Sequence, residues 1–182
     1  MGGYFSQAGS FLISTIIGLY VIIVLLRFLL QVVRADFYNP LSQFVVKVTN
    51  PLLVPMRRFI PGLLGYDLSS LVLAYILEVI ELSLIGLINN MNFMIIGVFW
   101  VAIGQVISLI LYIYLIAIII QAILSWVSPG VNHPMSSLIY QLVEPIIRPV
   151  RRYIPPFSGI DLSPLVVIIV LNLLIMLIPF IF

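Results

Sequence analysis

PLLVPMRRFIPGLLGYDLSSL (51–71) and PIIRPVRRYIPPFSGIDLSPL (145–165) decide how this chain is built. At a fixed offset of 94 residues and with no gap, 11 of the 21 positions are identical. Pro51, Pro55, Arg57, Arg58, Ile60, Pro61, Gly65, Asp67, Leu68, Ser69 and Leu71 recur as Pro145, Pro149, Arg151, Arg152, Ile154, Pro155, Gly159, Asp161, Leu162, Ser163 and Leu165. Upstream, Asn39-Pro40 answers to His133-Pro134, and Ser42 to Ser136. Shared apolar composition cannot generate such a match, because most of the common residues are Pro, Arg, Gly, Asp and Ser. The chain is an internal repeat.

Outward from these blocks the sequence is almost wholly apolar. Of 182 residues, 63% are hydrophobic and 8% charged, with a mean hydropathy of +1.30. A soluble domain carries roughly a quarter of its residues as Asp, Glu, Lys and Arg to cover its surface. Here hydrocarbon must cover most of it. Four runs reach the roughly 20 residues that cross a bilayer core: about 11–33, 68–88, 100–127 and 164–182. The third belongs to an uncharged stretch from Phe93 to Val127, 35 residues long. As one helix that stretch is about 52 Å against a core of about 30 Å. Trp100 and Trp126 bracket its spanning part, which places Phe93–Phe99 in the outer interface, with Gly97 and Gly104 as bend points.

The expected fold is therefore an all-α membrane protein of two tandem helix–loop–helix repeats, residues 1–92 and 93–182, with about four transmembrane helices and short interfacial helices in the connecting loops. Asn39 and His133, each before a proline, mark the starts of those interfacial helices. Pro51 and Pro145 are expected to end them, and Pro55, Pro61, Pro149, Pro155 and Pro156 to hold the following stretch rigid. Asp67-Leu68-Ser69 and Asp161-Leu162-Ser163 then cap the next spans. Arg34, Lys47, Arg57 and Arg58 border the first connection and Arg148, Arg151 and Arg152 the second, so the positive-inside rule puts both in the cytoplasm and both chain ends outside. The two units then share one orientation.

The paired Pro/Arg blocks resemble the YggT family of small bacterial and plastid membrane proteins, over nearly the whole chain, and the doubled form resembles its proteobacterial members. That resemblance implies an integral inner-membrane protein without known catalytic activity. It further implies links to osmotic and potassium homeostasis, and in plastid relatives to cytochrome assembly and nucleoid distribution.

The residues themselves offer little to an enzyme. The chain has one histidine and no cysteine, which removes thiolate chemistry and leaves no evident metal set. His133 reads as a helix-start residue, and no third group orients it toward Ser125, Ser128 or Ser136 for a hydrolase. No cofactor and no nucleic acid are expected, the latter because the net charge is only +2. Met1-Gly2-Gly3-Tyr4-Phe5-Ser6 fits the degenerate myristoylation pattern. A chain that spans repeatedly needs no such anchor, and no removable leader is expected.

Two sets of residues carry the functional expectations. Arg57, Arg58, Arg151 and Arg152, with Asp67 and Asp161 in the same proline framework, form a candidate interaction surface for anionic headgroups or a docking protein. Arg27, Glu78 and Glu81 lie within spans, where ionisable groups need partners. Their depths suggest an Arg27–Glu78 pair with Glu81 left over, or else an ion site. The second repeat has Gln121, Asn172 and Ile175 at those positions, which disfavours a pore lined equally by both halves. Expected partners are the bilayer and another membrane protein or complex, with self-association left open. Two functions follow: help in assembling, positioning or regulating another membrane complex, or ion handling in osmotic balance.

Overall fold

A computed structural model describes residues 2–60, 62, 65–90, 95–127, 134–154 and 161–182. Six helices account for the regular structure among these residues: α1 (Gly2–Val32), α2 (Pro40–Met56), α3 (Leu68–Ile88), α4 (Ile95–Val127), α5 (Pro134–Tyr153) and α6 (Ser163–Ile181). Helices α1, α3, α4 and α6 are each long and apolar enough to cross a membrane. α1 packs along α3 and α4 along α6, while α3 and α4 join the halves.

Each half builds its own core from matching positions. Val24, Leu53 and Leu73 are buried together in the first, and Ile118, Ile147 and Val167 in the second; each pair is 94 residues apart. Leu29 of α1 enters the second core and Val106 of α4 the first, so the cores interlock rather than merely abut. Outside them the apolar surface is open: Leu165, Ile169, Leu173 and Met176 of α6 are all exposed, as lipid-facing residues are.

The connecting helices α2 and α5 depart from expectation. Pro51 and Pro55 lie inside α2, and Pro145 and Pro149 inside α5, rather than ending them. Four residues apart, the prolines of each pair share one helix face, and all four are exposed. A missing backbone donor there frees a carbonyl that water can satisfy, whereas the same proline on the inner face would orphan it. The inner face of α2 is Ser42, Val45, Thr49 and Leu53, all buried.

Asn39 caps α2 as expected, its Oδ1 accepting the Leu41 N–H at 2.9 Å with Pro40 in the first turn. Its Nδ2 also donates to Pro134 O at 2.7 Å, and Gln141 Oε1 accepts the Asp36 N–H at 2.8 Å. These bonds tie the first connection to α5. His133 lies outside the described residues.

Helix α4 runs unbroken from Ile95 to Val127, through both Gly97 and Gly104. Gly104 instead permits close approach: a Cβ there would come within 2.7 Å of Phe182 Cβ. Nearby, Trp100 Nε1 donates to Ile181 O at 3.1 Å, and its ring lies 4.9 Å from that of Phe182.

Candidate functional site

Both repeats close their proline loop with the same pair of bonds. In the first, the Arg57 guanidinium, at the end of α2, pairs with the Asp67 carboxylate at the start of α3. Ser69 Oγ donates to Ile60 O at 2.8 Å. In the second, Arg151 Nε donates to Asp161 Oδ2 at 2.8 Å and Ser163 Oγ to Ile154 O at 3.4 Å. Ten residues separate arginine from aspartate in each. This latch explains why Arg, Asp and Ser recur together at fixed spacing.

The two latches differ in setting. Asp67 is 4% exposed and also accepts from Ser70 Oγ at 2.8 Å, whereas Asp161 is 29% exposed and accepts the Ser163 N–H at 2.9 Å. Arg151 has a second carboxylate, Glu144, at 3.3 Å. Burial alone would raise the Asp67 carboxyl, but the bonds from Arg57 and Ser70 and the nearby charges of Arg57 and Arg27 outweigh it and hold the group below its usual range. Asp161 is likewise lowered, with burial opposed by Ser163 and Arg151.

The four loop arginines therefore divide by role. Arg57 and Arg151 turn inward onto the aspartates. Arg58 and Arg152 are exposed and make no ion pair among the described residues. The aromatic that follows each, Phe59 and Tyr153, is 84% and 88% exposed.

The intramembrane charges are arranged otherwise than their depths suggest. Arg27 Nη1 donates to Thr49 Oγ1 at 2.6 Å, Asn50 Oδ1 at 2.9 Å and Val46 O at 3.3 Å, all on α2. No Arg27–Glu78 ion pair exists among the described residues, which corrects the expected pairing. The reason is register. Glu81 lies beside Gly18, whose Cβ would stand 3.9 Å from Glu81 Oε2. In the antiparallel α1–α3 pair that puts Glu78 level with Val21, leaving Arg27 about six residues, or about 9 Å, closer to the loops. Glu78 is 4% exposed, and Glu81 Oε2 is buried with no hydrogen-bond partner.

Sequence reasoning missed Thr49 and Asn50 as the partners of Arg27. A usable signal lay in the repeat: Arg27, Thr49 and Asn50 change together, to Gln121, Val143 and Glu144. Among the described residues no three His, Cys, Asp or Glu side chains gather to hold a metal ion.

The sequence model of the CCB3/YggT family matches residues 6–88 and again 100–182, once per repeat. The chain belongs to the CCB3/YggT family. It is 45% identical over 176 residues to an uncharacterized protein of Pseudomonas aeruginosa, covering 95% of this chain and 89% of that one. The uncharacterized protein YggT of Escherichia coli K12 is 43% identical over 164 residues, covering 89% of this chain and 84% of its own length. A protein from the proC 3' region of Vibrio alginolyticus is 42% identical over 169 residues, covering 88% and 87%. No solved structure matches the chain. Family membership, the doubled pattern and the four long apolar helices agree on a multi-pass membrane protein.

Proposed function

We propose that this CCB3/YggT-family protein is a non-enzymatic inner-membrane component that assists the assembly, positioning or regulation of another membrane complex. The observation that supports this reading is the doubled presentation of Arg58-Phe59 and Arg152-Tyr153, each exposed directly after a latched arginine. A fixed backbone lowers the ordering cost of docking, and an aromatic beside a free guanidinium is the composition of an interface hot spot. A photoreactive phenylalanine analogue at position 59 or 153, irradiated in native membranes, is expected to capture the same membrane protein from both positions. Arg58→Gln with Arg152→Gln should abolish that adduct while the chain stays abundant. Capture of lipid alone from both positions would refute docking and leave membrane anchoring.

In the same proposal both Arg-rich connections face the cytoplasm, as the charge bias favours. Cysteines placed singly at Gln7 and Arg58 of this cysteine-free chain report on it. A membrane-impermeant thiol reagent should label the first and not the second in intact cells; the reverse pattern would invert the topology.

A second reading, ion handling in osmotic or potassium balance, draws on buried Glu78 of α3 and on Glu81, whose Oε2 is buried near Gly18 of α1. It competes with the first over a cation flux in liposomes.

A further inference from the structure

We infer that the first repeat carries a binding pocket for a phosphate group at its loop face, built on two arginines that the second repeat replaces. A cavity of about 480 Å³ opens between the end of α1, α2 and the loop before α3, lined among others by Arg27, Gln31, Arg34, Ser42, Arg57 and Gly65. Its volume is within the roughly 300–1,000 Å³ of small-ligand sites. Arg27 and Gln31, four residues apart, share one face of α1, and Arg34 joins them from the turn that ends it. Ser42 comes from the inner face of α2, and Arg57 from that helix's end. Gln31 Nε2 donates to Gly65 O at 3.3 Å, closing the wall toward the loop.

Three observations point to an anion. The first is charge. Of the three guanidinium groups only Arg57 has a carboxylate, Asp67; Arg27 has neutral oxygens, and Arg34 makes no ion pair among the described residues. Arginine presents planar donors that suit phosphate oxygens, and uncompensated arginines in a cavity leave positive potential there. The second is Ser42, 5% exposed, whose Oγ is buried without a hydrogen-bond partner. The third is backbone strain. α1 ends with the Arg34 N–H donating to Gln31 O at 3.0 Å and the Ala35 N–H to Leu30 O at 2.9 Å, a Schellman termination whose left-handed position belongs by preference to glycine. Arg34 occupies it at φ 53°. A strained position held by a charged side chain lining a cavity is an outlier that calls for a functional reason.

The second repeat sharpens the assignment. At the positions of Arg27, Gln31 and Arg34 it has Gln121, Ser125 and Ser128; Ser136 and Gly159 answer to Ser42 and Gly65, but of the three arginines only Arg57 has a counterpart, Arg151. Arg151 is already held by both Asp161 and Glu144. The ligand is thus a phosphate ester or free phosphate, and its source is either the headgroup of an anionic lipid or a small soluble phosphate. The site stands independently of the docking surface proposed above, since Arg58 and Arg152 take no part in it.

The full-length protein in neutral detergent separates the sources. Phosphatidylglycerol, phosphatidylcholine and inorganic phosphate are titrated separately, against chloride at equal ionic strength, with bound lipid counted by native mass spectrometry and the thermal midpoint followed. A preference for phosphatidylglycerol over phosphatidylcholine assigns the site to a lipid headgroup, and a response to inorganic phosphate alone assigns it to a soluble ligand. Arg34→Gly removes a guanidinium while relieving the left-handed strain, so the variant should be at least as stable as the parent. Its affinity for the same probe should fall about tenfold or more. Arg148→Gln, an exposed arginine of the second repeat, should leave binding unchanged. Response to none of the probes, or undiminished binding by Arg34→Gly, would overturn the assignment.

Discussion

Replacing Glu81 by isoleucine should make the protein more stable, by about 1–3 kcal/mol, the cost usually attached to a buried polar group left without a partner. Glu81 Oε2 has no partner, and what stands opposite it on α1 is Gly18, which offers no side-chain donor. The second repeat already contains the replacement, Ile175, at the matching position of α6. Thermal unfolding in detergent measures the effect, and a lower midpoint for Glu81→Ile would show that the carboxylate is satisfied in a way its surroundings do not reveal. The same variant decides between the two functional readings. Liposomes with the parent protein should show no cation flux above empty vesicles if the protein acts through its loops. A potassium or sodium flux that vanishes in Glu81→Ile would instead establish ion handling, with the destabilising carboxylate kept for that purpose.

Arg57→Gln should cost more stability than Arg151→Gln, about 1–3 kcal/mol against less than about 1. The reason lies with the partner left behind. Asp67 is buried and would retain only Ser70, whereas Asp161 is partly hydrated and also holds the Ser163 N–H. Equal losses would mean that burial of the aspartate does not set the strength of the latch. Both latches also have a definite pH dependence. Each aspartate is held below its ordinary value, so its contribution is complete above about pH 4, the unfolded aspartate value. It is lost as the pH falls through the lower folded value. Acid should therefore weaken the parent more than a protein carrying both Asp67→Asn and Asp161→Asn.

How much of this was legible in the sequence depends on the range of the interaction. The spans and the duplication rest on composition and on local pattern, which any short window contains. The latch was half visible: Arg, Asp and Ser stood out because they recur, but a docking surface and an internal clasp leave the same residues in the same order. Both arginines are exposed, and only the pairing with buried Asp67 separates Arg57 from Arg58. The proline reading failed for a similar reason. Pro51 breaks a helix when its missing N–H points inward, and the sequence does not say which face is wet. The Arg27–Glu78 pairing failed on register, because depth along two helices was estimated from their ends while contact is set by Gly18 meeting Glu81. Arg34 was read as a topology charge alone, since a left-handed arginine has no sequence signature.

The amide of Asn39 has a consequence for how the molecule is made. Its acceptor, the Pro134 carbonyl, lies 95 residues further along the chain, which at roughly 5–20 residues per second is several seconds to some twenty seconds of synthesis. Throughout that interval the helix it caps already has its own bond to Leu41, and the free amide protons can rest on water. The amide bonds across the halves thus lie beside the connecting helices, where waiting on water is cheap, while the interlock of Leu29 and Val106 is apolar and leaves no amide unanswered in hydrocarbon, where one would cost several kcal/mol.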